Sequence, residues 1–164
     1  MADSLLILNA GSSSLKFSLF SDTDPPALTI RGQIEGLQTA SKFCARDASG
    51  AVVSEHSWPA GAKLSHDEAV EFLFDWGRQH QQSNSRVVAA GHRIVHGGTQ
   101  FTKPVIIDGR VLNELDSLVP LAPLHQPHNV SAIRAVAKHS PKLPQVACFD
   151  TSFHRTLPRV AQHF

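Results

Sequence analysis

A glycine, three serines and a lysine lie close together near the start of the chain, in the segment 8-LNAGSSSLKF-17. Glycine permits close approach of the backbone to a ligand, and consecutive N–H groups in such a turn can form an anion-binding concavity. The hydroxyls of Ser12 and Ser14 would add hydrogen-bond donors, and Lys16 would add a positive charge. This composition favours a phosphate-binding corner. The alternative is a polar turn on an amphipathic hairpin with a solvated lysine, and spacing alone does not decide between the two.

Two further charged residues lie at or near the ends of predicted strands. Arg93 belongs to the predicted strand 87–95, where a rigidly held guanidinium could offer a planar fork to a carboxylate or phosphoryl oxygen. A plain surface arginine is the alternative. Asp150 follows the buried run Val146–Phe149 and so emerges at the carboxyl end of a strand, where open α/β sheets place ligands. Its carboxylate could orient an attacking oxygen or act as a base, or it could be a turn or helix cap.

Three other kinds of site fit the sequence poorly. The nucleotide-binding loop GxxxxGK[ST] does not occur, and no GxSxG elbow supports a serine hydrolase. His92 and His96 are four residues apart and His125 and His128 three apart, so a zinc site has to be considered. The segment HRIVH lacks the glutamate of a zinc-protease helix and fits a strand better, so we expect no zinc site.

The elements that position these residues follow from the spacing of hydrophobic side chains. Leu5–Leu8 is a short apolar run and residues 14–20 alternate, so both predict strands. Ser65 and Glu68 form a capping box ahead of an apolar stripe at helical spacing. The prolines that follow the next predicted helix disfavour helix in the residue before each, which predicts an extended loop. The predicted elements are strands at 5–9, 14–20 and 27–35, a hairpin at 42–58, a helix from 65, a strand at 87–95, a short helix near 111–118, the loop through Pro120, Pro123 and Pro127, a helix from 127 to 139, and a strand at 146–149.

Hairpin-connected strands followed by strands that alternate with helices indicate a mixed α/β sheet covered by helices. The 164 residues, 41% hydrophobic and 18% charged, suit one globular domain. A formal net charge of +1 gives no reason to expect nucleic acid or a membrane as partner. No apolar run approaches the roughly 20 residues of a membrane span, and no signal peptide is recognised. The distant Cys44 and Cys148 fit reduced thiols and a cytoplasmic location.

Four motifs resemble those of the acetate kinase family, which includes propionate and butyrate kinases. The segment 8-LNAGSSSLKF-17 is similar to its first signature and 91-GHRIVHGG-98 to its second, while 121-LAPLHQPHN-129 and 149-FDTSFHRTLP-158 resemble its loop and strand-end motifs. Family members are much longer, and this sequence stops without a helix cap, a closing strand or a polar tail. We therefore expect an N-terminal fragment, with residues 1–150 forming one domain and residues 151–164 beginning a second.

The resemblance implies a ribonuclease-H-like domain, as in actin, sugar kinases and heat-shock chaperones. It implies reversible, Mg²⁺-dependent phosphoryl transfer from ATP to acetate, which gives acetyl phosphate and ADP. A propionate or butyrate kinase is an alternative, as is an inactive anion-binding fragment, because the active site of the family lies between two domains. The implied partners are a small carboxylate, a nucleotide, the missing C-terminal domain and, for the full-length protein, a second copy in a homodimer.

The resemblance also assigns roles to single residues. By this reading the catalytic residues are Asp150, His125 and Arg93, the substrate-binding residues Arg93, Val95 and Leu124, the phosphate- or ATP-binding residues Ser12, Ser14 and Lys16, and the metal-associated residue Asn9. Without the family, His125 could equally be a histidine that bonds to loop backbone. The sequence departs from the family pattern at Gln126, His128 and Thr99, which questions the preferred substrate more than the type of reaction.

Overall fold

A computed structural model describes residues 3–80 and 86–155, and for residues 153–155 it describes the backbone only. The described residues form one eight-stranded sheet with the strand order β5-β4-β3-β2-β1-β6-β8-β7. The strands are β1 (Ser4–Ala10), β2 (Ser14–Ser21), β3 (Leu28–Glu35), β4 (Lys42–Asp47), β5 (Val52–Ser57), β6 (Val87–Ile94), β7 (Val105–Ile106) and β8 (Gln145–Phe149). The helices are α1 (His66–His80), α2 (Gly109–Ser117), α3 (Gln126–His139) and α4 (Asp150–Arg155).

The sheet combines two kinds of strand pairing. β1 to β5 form an antiparallel meander, each strand paired with the next along the chain. β6 pairs in parallel with β1 on one side and with β8 on the other, and the short β7 closes the edge in the antiparallel direction. The carboxyl ends of β1, β6 and β8 therefore meet at one edge of the sheet, where the predicted site residues follow.

One face of the sheet is packed against α1, α2 and α3. Phe17 and Phe43 on the strands make edge-to-face contacts with Trp76 on α1, and Phe72 on α1 does the same with Phe43. Such aromatic pairs contribute about 0.5–1.5 kcal/mol each beyond their buried area. A second apolar cluster joins the ends of β6 and β8, through Ile94, Ala147 and Phe149, to α2 and α3 through Val111, Leu115, Val130 and Ile133. This packing fixes the edge where the site residues lie.

Most of the expected elements are confirmed, including the capping box before α1. The Ser65 N–H donates to Glu68 Oε2 at 2.7 Å, and the Glu68 N–H donates to Ser65 Oγ at 3.2 Å. The extended loop expected through Pro120 and Pro123 is wrong, because Val119–Leu121 forms a 3₁₀ turn. The helix expected from 127 to 139 is confirmed as α3, with Pro127 in its first turn. Proline is tolerated there since the first N–H groups of a helix have no partner within it.

Candidate active site

Polar side chains from three neighbouring strands share one face of the sheet at its carboxyl edge. Asn9 on β1 lies directly opposite Lys16 on β2. β1 pairs in parallel with β6 up to Leu8 opposite His92, and one further step along this register brings Asn9 beside Arg93. Since neighbouring strands lie about 4.8 Å apart, the three residues form a row whose ends are about 10 Å apart. Lys16 and Arg93 are both exposed, so this row is open to a ligand.

Arg93 and Asp150 form a two-pronged ion pair next to this row. Arg93 Nη2 donates to Asp150 Oδ2 at 2.8 Å, and Nε donates to Oδ1 at 3.0 Å. The hydrogen bond to Asp150 raises the pKa of Arg93, and the carboxylate charge adds to this shift. The fork geometry fixes the plane of the guanidinium, while the Arg93 side chain stays 55% exposed. The remaining N–H groups can therefore still bind an anion.

The corner between β1 and β2 is held in place by its own backbone and by α1. The Gly11 N–H donates to the Ser14 carbonyl at 2.8 Å, so this N–H is used within the turn and is not free for an anion. His66 at the start of α1 is hydrogen-bonded through Nε2 to the Gly11 carbonyl at 2.7 Å. Ser12 and Ser13 are exposed at the tip of the corner.

The N-terminal end of α3 is anchored to the same edge. The amide of Asn129, which is 2% exposed, donates through Nδ2 to the Ala10 carbonyl at 2.8 Å and accepts through Oδ1 from the Val95 N–H at 3.2 Å. His125 is exposed at the N-cap position of α3 and makes no capping hydrogen bond. One amide therefore connects the ends of β1 and β6 to the helix that begins beside His125.

The ring of His128 stacks on the ring of His66, with centroids 5.1 Å apart. Burial lowers the pKa of His128, and the charges that His66 and His125 carry when protonated lower it further. Since His66 is also bonded to the Gly11 carbonyl, the stacked rings join the first turn of α3 to the β1–β2 corner. The edge thus gathers Asn9 and Lys16 with Arg93 and Asp150, and the β1–β2 corner and the start of α3 border it.

Val95 and Leu124, the two apolar residues expected to bind the substrate, differ in exposure. Val95 is half-buried just after β6, and its N–H is held by Asn129, whereas Leu124 is 74% exposed in the turn before α3. The shared apolar pocket of these two residues stays a prediction.

His92 and His96, which were considered for zinc, both have protein partners. His92 is bonded to Gln145 Oε1 at 2.7 Å, and His96 Nδ1 accepts the Gly98 N–H at 2.8 Å.

Several residues that support the site have no predicted role from the sequence. Gln126 is fully buried and donates through Nε2 to the carbonyls of His96 at 3.2 Å and Leu115 at 3.4 Å. Thr151 Oγ1 accepts the Gly97 N–H at 3.0 Å. The signal for Gln126 and Asn129 was their place within the quoted segment LAPLHQPHN, because polar residues in the first turn of a buried helix need partners. His66 gave no such signal beyond its place after a capping residue.

Comparison with known proteins decides the family. The profile described as the acetokinase family matches residues 4–164. The chain belongs to the acetokinase family. A curated acetokinase relative, the acetate kinase of Rhodopseudomonas palustris (strain ATCC BAA-98 / CGA009), is 46% identical over 100% of this chain and 41% of its own length. The chain therefore spans about two fifths of the length of that relative.

Two solved kinase structures superpose well on the chain. The acetate kinase of Porphyromonas gingivalis is 32% identical with a TM-score of 0.83, over 96% of this chain and 40% of that one. A propionate kinase from Francisella tularensis subsp. tularensis SCHU S4 is also 32% identical, with a TM-score of 0.81 over 96% and 39%. The expected fold is confirmed: the chain has the mixed α/β architecture of these kinases. In the described residues no helix is long and apolar enough to cross a membrane.

Proposed function

We propose that the whole protein is an acetate kinase that transfers the γ-phosphoryl group of ATP reversibly to acetate. The observation that carries this proposal is the row Lys16, Asn9 and Arg93, with Asp150 clamped to Arg93, at the carboxyl edge of the sheet. It offers two cations and an amide on one open face, which suits phosphoryl and carboxylate oxygens.

The proposed reaction needs positioning and charge neutralisation more than proton transfer. Acetate is ionised at neutral pH, so a carboxylate oxygen attacks the γ-phosphorus without a general base. The bond between that phosphorus and the bridging oxygen breaks, and its electron pair leaves with ADP. Arg93 would orient the carboxylate, and Lys16, Ser12, Ser14 and His125 would donate to phosphoryl oxygens. Asp150 would hold Arg93 in place. It would also act directly in catalysis, either as a ligand of the metal ion or by orienting the attacking acetate.

The donor set at this edge is compatible with magnesium. Mg²⁺ usually keeps several water molecules and takes one or two carboxylates together with substrate phosphates. Asp150 would supply the one carboxylate, although both its oxygens also accept hydrogen bonds from Arg93, and Asn9 would supply an amide oxygen. The described residues contain no cluster of three histidine, cysteine or acidic side chains, so water and phosphate oxygens would complete the site. When bound, the ion would neutralise charge on the phosphates.

The remaining parts of the reaction belong to the rest of the protein. We propose that residues 1–150 form an N-terminal domain, that 151–164 begin the second domain, and that the second domain carries most of the nucleotide pocket. Residues 156–164 lie outside the described part of the chain. A homodimer of the whole protein and a cytoplasmic location belong to the same proposal.

A coupled assay of ADP formation from ATP and acetate tests the proposal. The complete protein should turn over acetate, and Lys16→Gln and Arg93→Gln should each reduce kcat on the order of 100-fold. Acetate, propionate and butyrate compared side by side decide between acetate kinase and the two alternatives, for which Val95 and Leu124 would be the first residues to examine. Turnover by none of the three carboxylates would refute the proposal.

A second candidate is that these 164 residues alone are an anion-binding module without turnover. The open row of cations at the edge favours it, since the row can attract an anion without a nucleotide pocket. The chain expressed by itself, in the same assay, should show no turnover above background. Measurable turnover by this chain alone would be incompatible with the assignment of the nucleotide pocket to the second domain.

A further inference from the structure

The open face of the antiparallel strands forms a large groove that shares only Lys16 with the proposed active site. It has a volume of about 800 Å³ and runs across β2, β3, β4 and β5, away from Arg93 and Asp150. Its charged lining residues are Lys16, Arg31, Glu35, Lys42, Arg46 and Glu55. Four of the 15 basic residues of the chain thus lie in one groove with only two of its 14 acidic residues. The groove is net positive while the remainder of the chain is net negative.

Two arginines in this groove face each other directly. Arg31 on β3 is the register partner of Arg46 on β4, and both line the groove. Like charges directly opposite on neighbouring strands destabilise a sheet. Within the described residues no carboxylate forms an ion pair with Arg31 or Arg46, whereas Lys42 lies directly opposite Glu35 on β3. Arg46 donates through Nη1 to the Gly50 carbonyl at 3.1 Å, which leaves its charge uncompensated. An anion bridging the two guanidinium groups would remove this repulsion.

The spacing of the cations fits a chain of phosphates better than a single ion. Lys42 and Arg46 are four residues apart on β4, which is about 13 Å along a strand. Ser18 on β2 is the direct partner of Arg31 on β3. Lys16 lies two residues from Ser18 on the same face of β2, so it is a diagonal neighbour of Arg31. The two aromatic lining residues, Phe17 and Phe43, are 3% and 2% exposed, so the groove presents no aromatic surface on which a base could stack.

We propose that this groove binds a small oligophosphate, with Arg31 and Arg46 as the central bidentate pair and Lys42 at one end. The ligand is recognised by its phosphate charges alone, so inorganic tripolyphosphate and the triphosphate of a nucleotide bind alike. Its central arginines lie on β3 and β4, with β1 and β2 between them and Arg93, so the groove is a second anion site that shares Lys16 with the proposed active site but does not depend on the proposed kinase reaction.

Isothermal titration of the complete protein with inorganic tripolyphosphate, without magnesium, tests the proposal. In the double variant Arg31→Gln/Arg46→Gln the dissociation constant should rise about tenfold or more, because two charge-assisted hydrogen-bond donors are lost. The matched control is Arg110→Gln/Arg134→Gln, which changes the net charge equally but removes exposed ion pairs with Glu114 and Asp116 outside the groove. Its dissociation constant should change less than about twofold.

Further measurements separate this site from the proposed active site. Arg93→Gln should leave tripolyphosphate binding in the groove intact, and Arg31→Gln/Arg46→Gln should leave kcat with acetate unchanged. Without ligand, the same double variant should melt at a higher temperature than the wild type, since the like-charge repulsion is gone. The proposal is overturned if the groove variant and the control bind equally, or if Arg93→Gln alone abolishes binding.

Discussion

The contact with Asp150 determines where the guanidinium of Arg93 points. Arg93→Lys keeps the charge but replaces a planar fork by a single ammonium group, which cannot contact both carboxylate oxygens and a substrate in one plane. We expect kcat with acetate to fall on the order of 100-fold in the complete protein. The free energy of unfolding should change by less than about 1 kcal/mol, because the pair is partly exposed. The coupled assay and urea unfolding measure the two quantities.

The matched control for this prediction is Arg110→Lys. Arg110 forms an ion pair with Glu114 within α2, at 2.9 Å, outside the predicted site. Its replacement should leave both kcat and stability near wild-type values. If Arg93→Lys kept the wild-type kcat, the reaction would not need a planar guanidinium at this position. That result would contradict the role given to Arg93.

The buried imidazole of His92 makes stability depend on pH. Burial lowers the pKa of His92 from 6.5 to about 4, while the hydrogen bond to Gln145 acts in the opposite direction. The unfolded chain therefore binds a proton between pH 6.5 and 4 that the folded protein does not bind. The contribution of neutral His92 to the free energy of unfolding is fully present above pH 6.5. The free energy of unfolding decreases by on the order of 3 kcal/mol as the pH falls toward 4.

Urea unfolding of the wild type and of His92→Asn across this pH range measures the effect. The variant should lose the part of the slope that comes from His92, even if its stability at neutral pH is lower. The control Asn113→Ala replaces an exposed side chain of α2 that carries no titratable group, and it should keep the wild-type slope. Equal slopes in all three proteins would show that His92 is protonated as easily folded as unfolded.

At the scale of elements, Asn129 is the connection between α3 and the sheet. It holds one backbone group at the end of β1 and another just after β6, and it is almost fully buried. Asn129→Ala should destabilise the protein by roughly 2–4 kcal/mol, because a buried N–H and a carbonyl lose their partner. Arg134→Ala on the same helix loses only an exposed ion pair with Asp116 and should cost less than about 1 kcal/mol. Similar losses in urea unfolding for both variants would mean that the Asn129 bridge is not formed in solution.

The elements that sequence patterns predicted are those with strong local signals. The alternation in residues 14–20 and the capping box at Ser65 depend only on near neighbours, and both appear in the structure. The strand Val105–Ile106 was missed, since two residues are too short to show a period. The segment through Pro120 was predicted as extended, but proline is also tolerated at the start of a helix, and Pro120 lies there in the 3₁₀ turn Val119–Leu121.

The site was predictable only in part, for a related reason. The sequence points to Arg93 and Asp150 because each lies near the carboxyl end of a strand, and the two are in contact although 57 residues separate them. The partner of Asn129 is 119 residues away and that of His66 is 55 residues away. No local pattern carries such pairings, so only the folded chain reveals which side chains hold the corner.

At the scale of the whole molecule, an apolar row crosses the parallel part of the open face. Ile7 pairs with Gly91, Gly91 with Val146, and Val146 with Ile106, so these positions point to the same side of the sheet. Ile7 is 40% exposed and Ile106 is 71% exposed. Parallel strands are usually covered on both faces, and contiguous exposed apolar surface promotes association. We therefore expect the 164-residue chain, expressed alone, to self-associate as its concentration rises.

Light scattering over a concentration series measures this association. Ile7→Lys/Ile106→Lys should shift the chain toward monomer, because two charges would have to be desolvated in any contact through the row. Val52→Lys/Val53→Lys is the control: it also replaces two exposed apolar residues by lysine, but on the outer strand β5, away from the row, and it should leave association unchanged. A chain that is strictly monomeric at high concentration, or two variants that behave alike, would mean that the row is not a contact surface. In the complete protein the Ile7/Ile106 variant should instead lower stability if the second half of the chain covers this face.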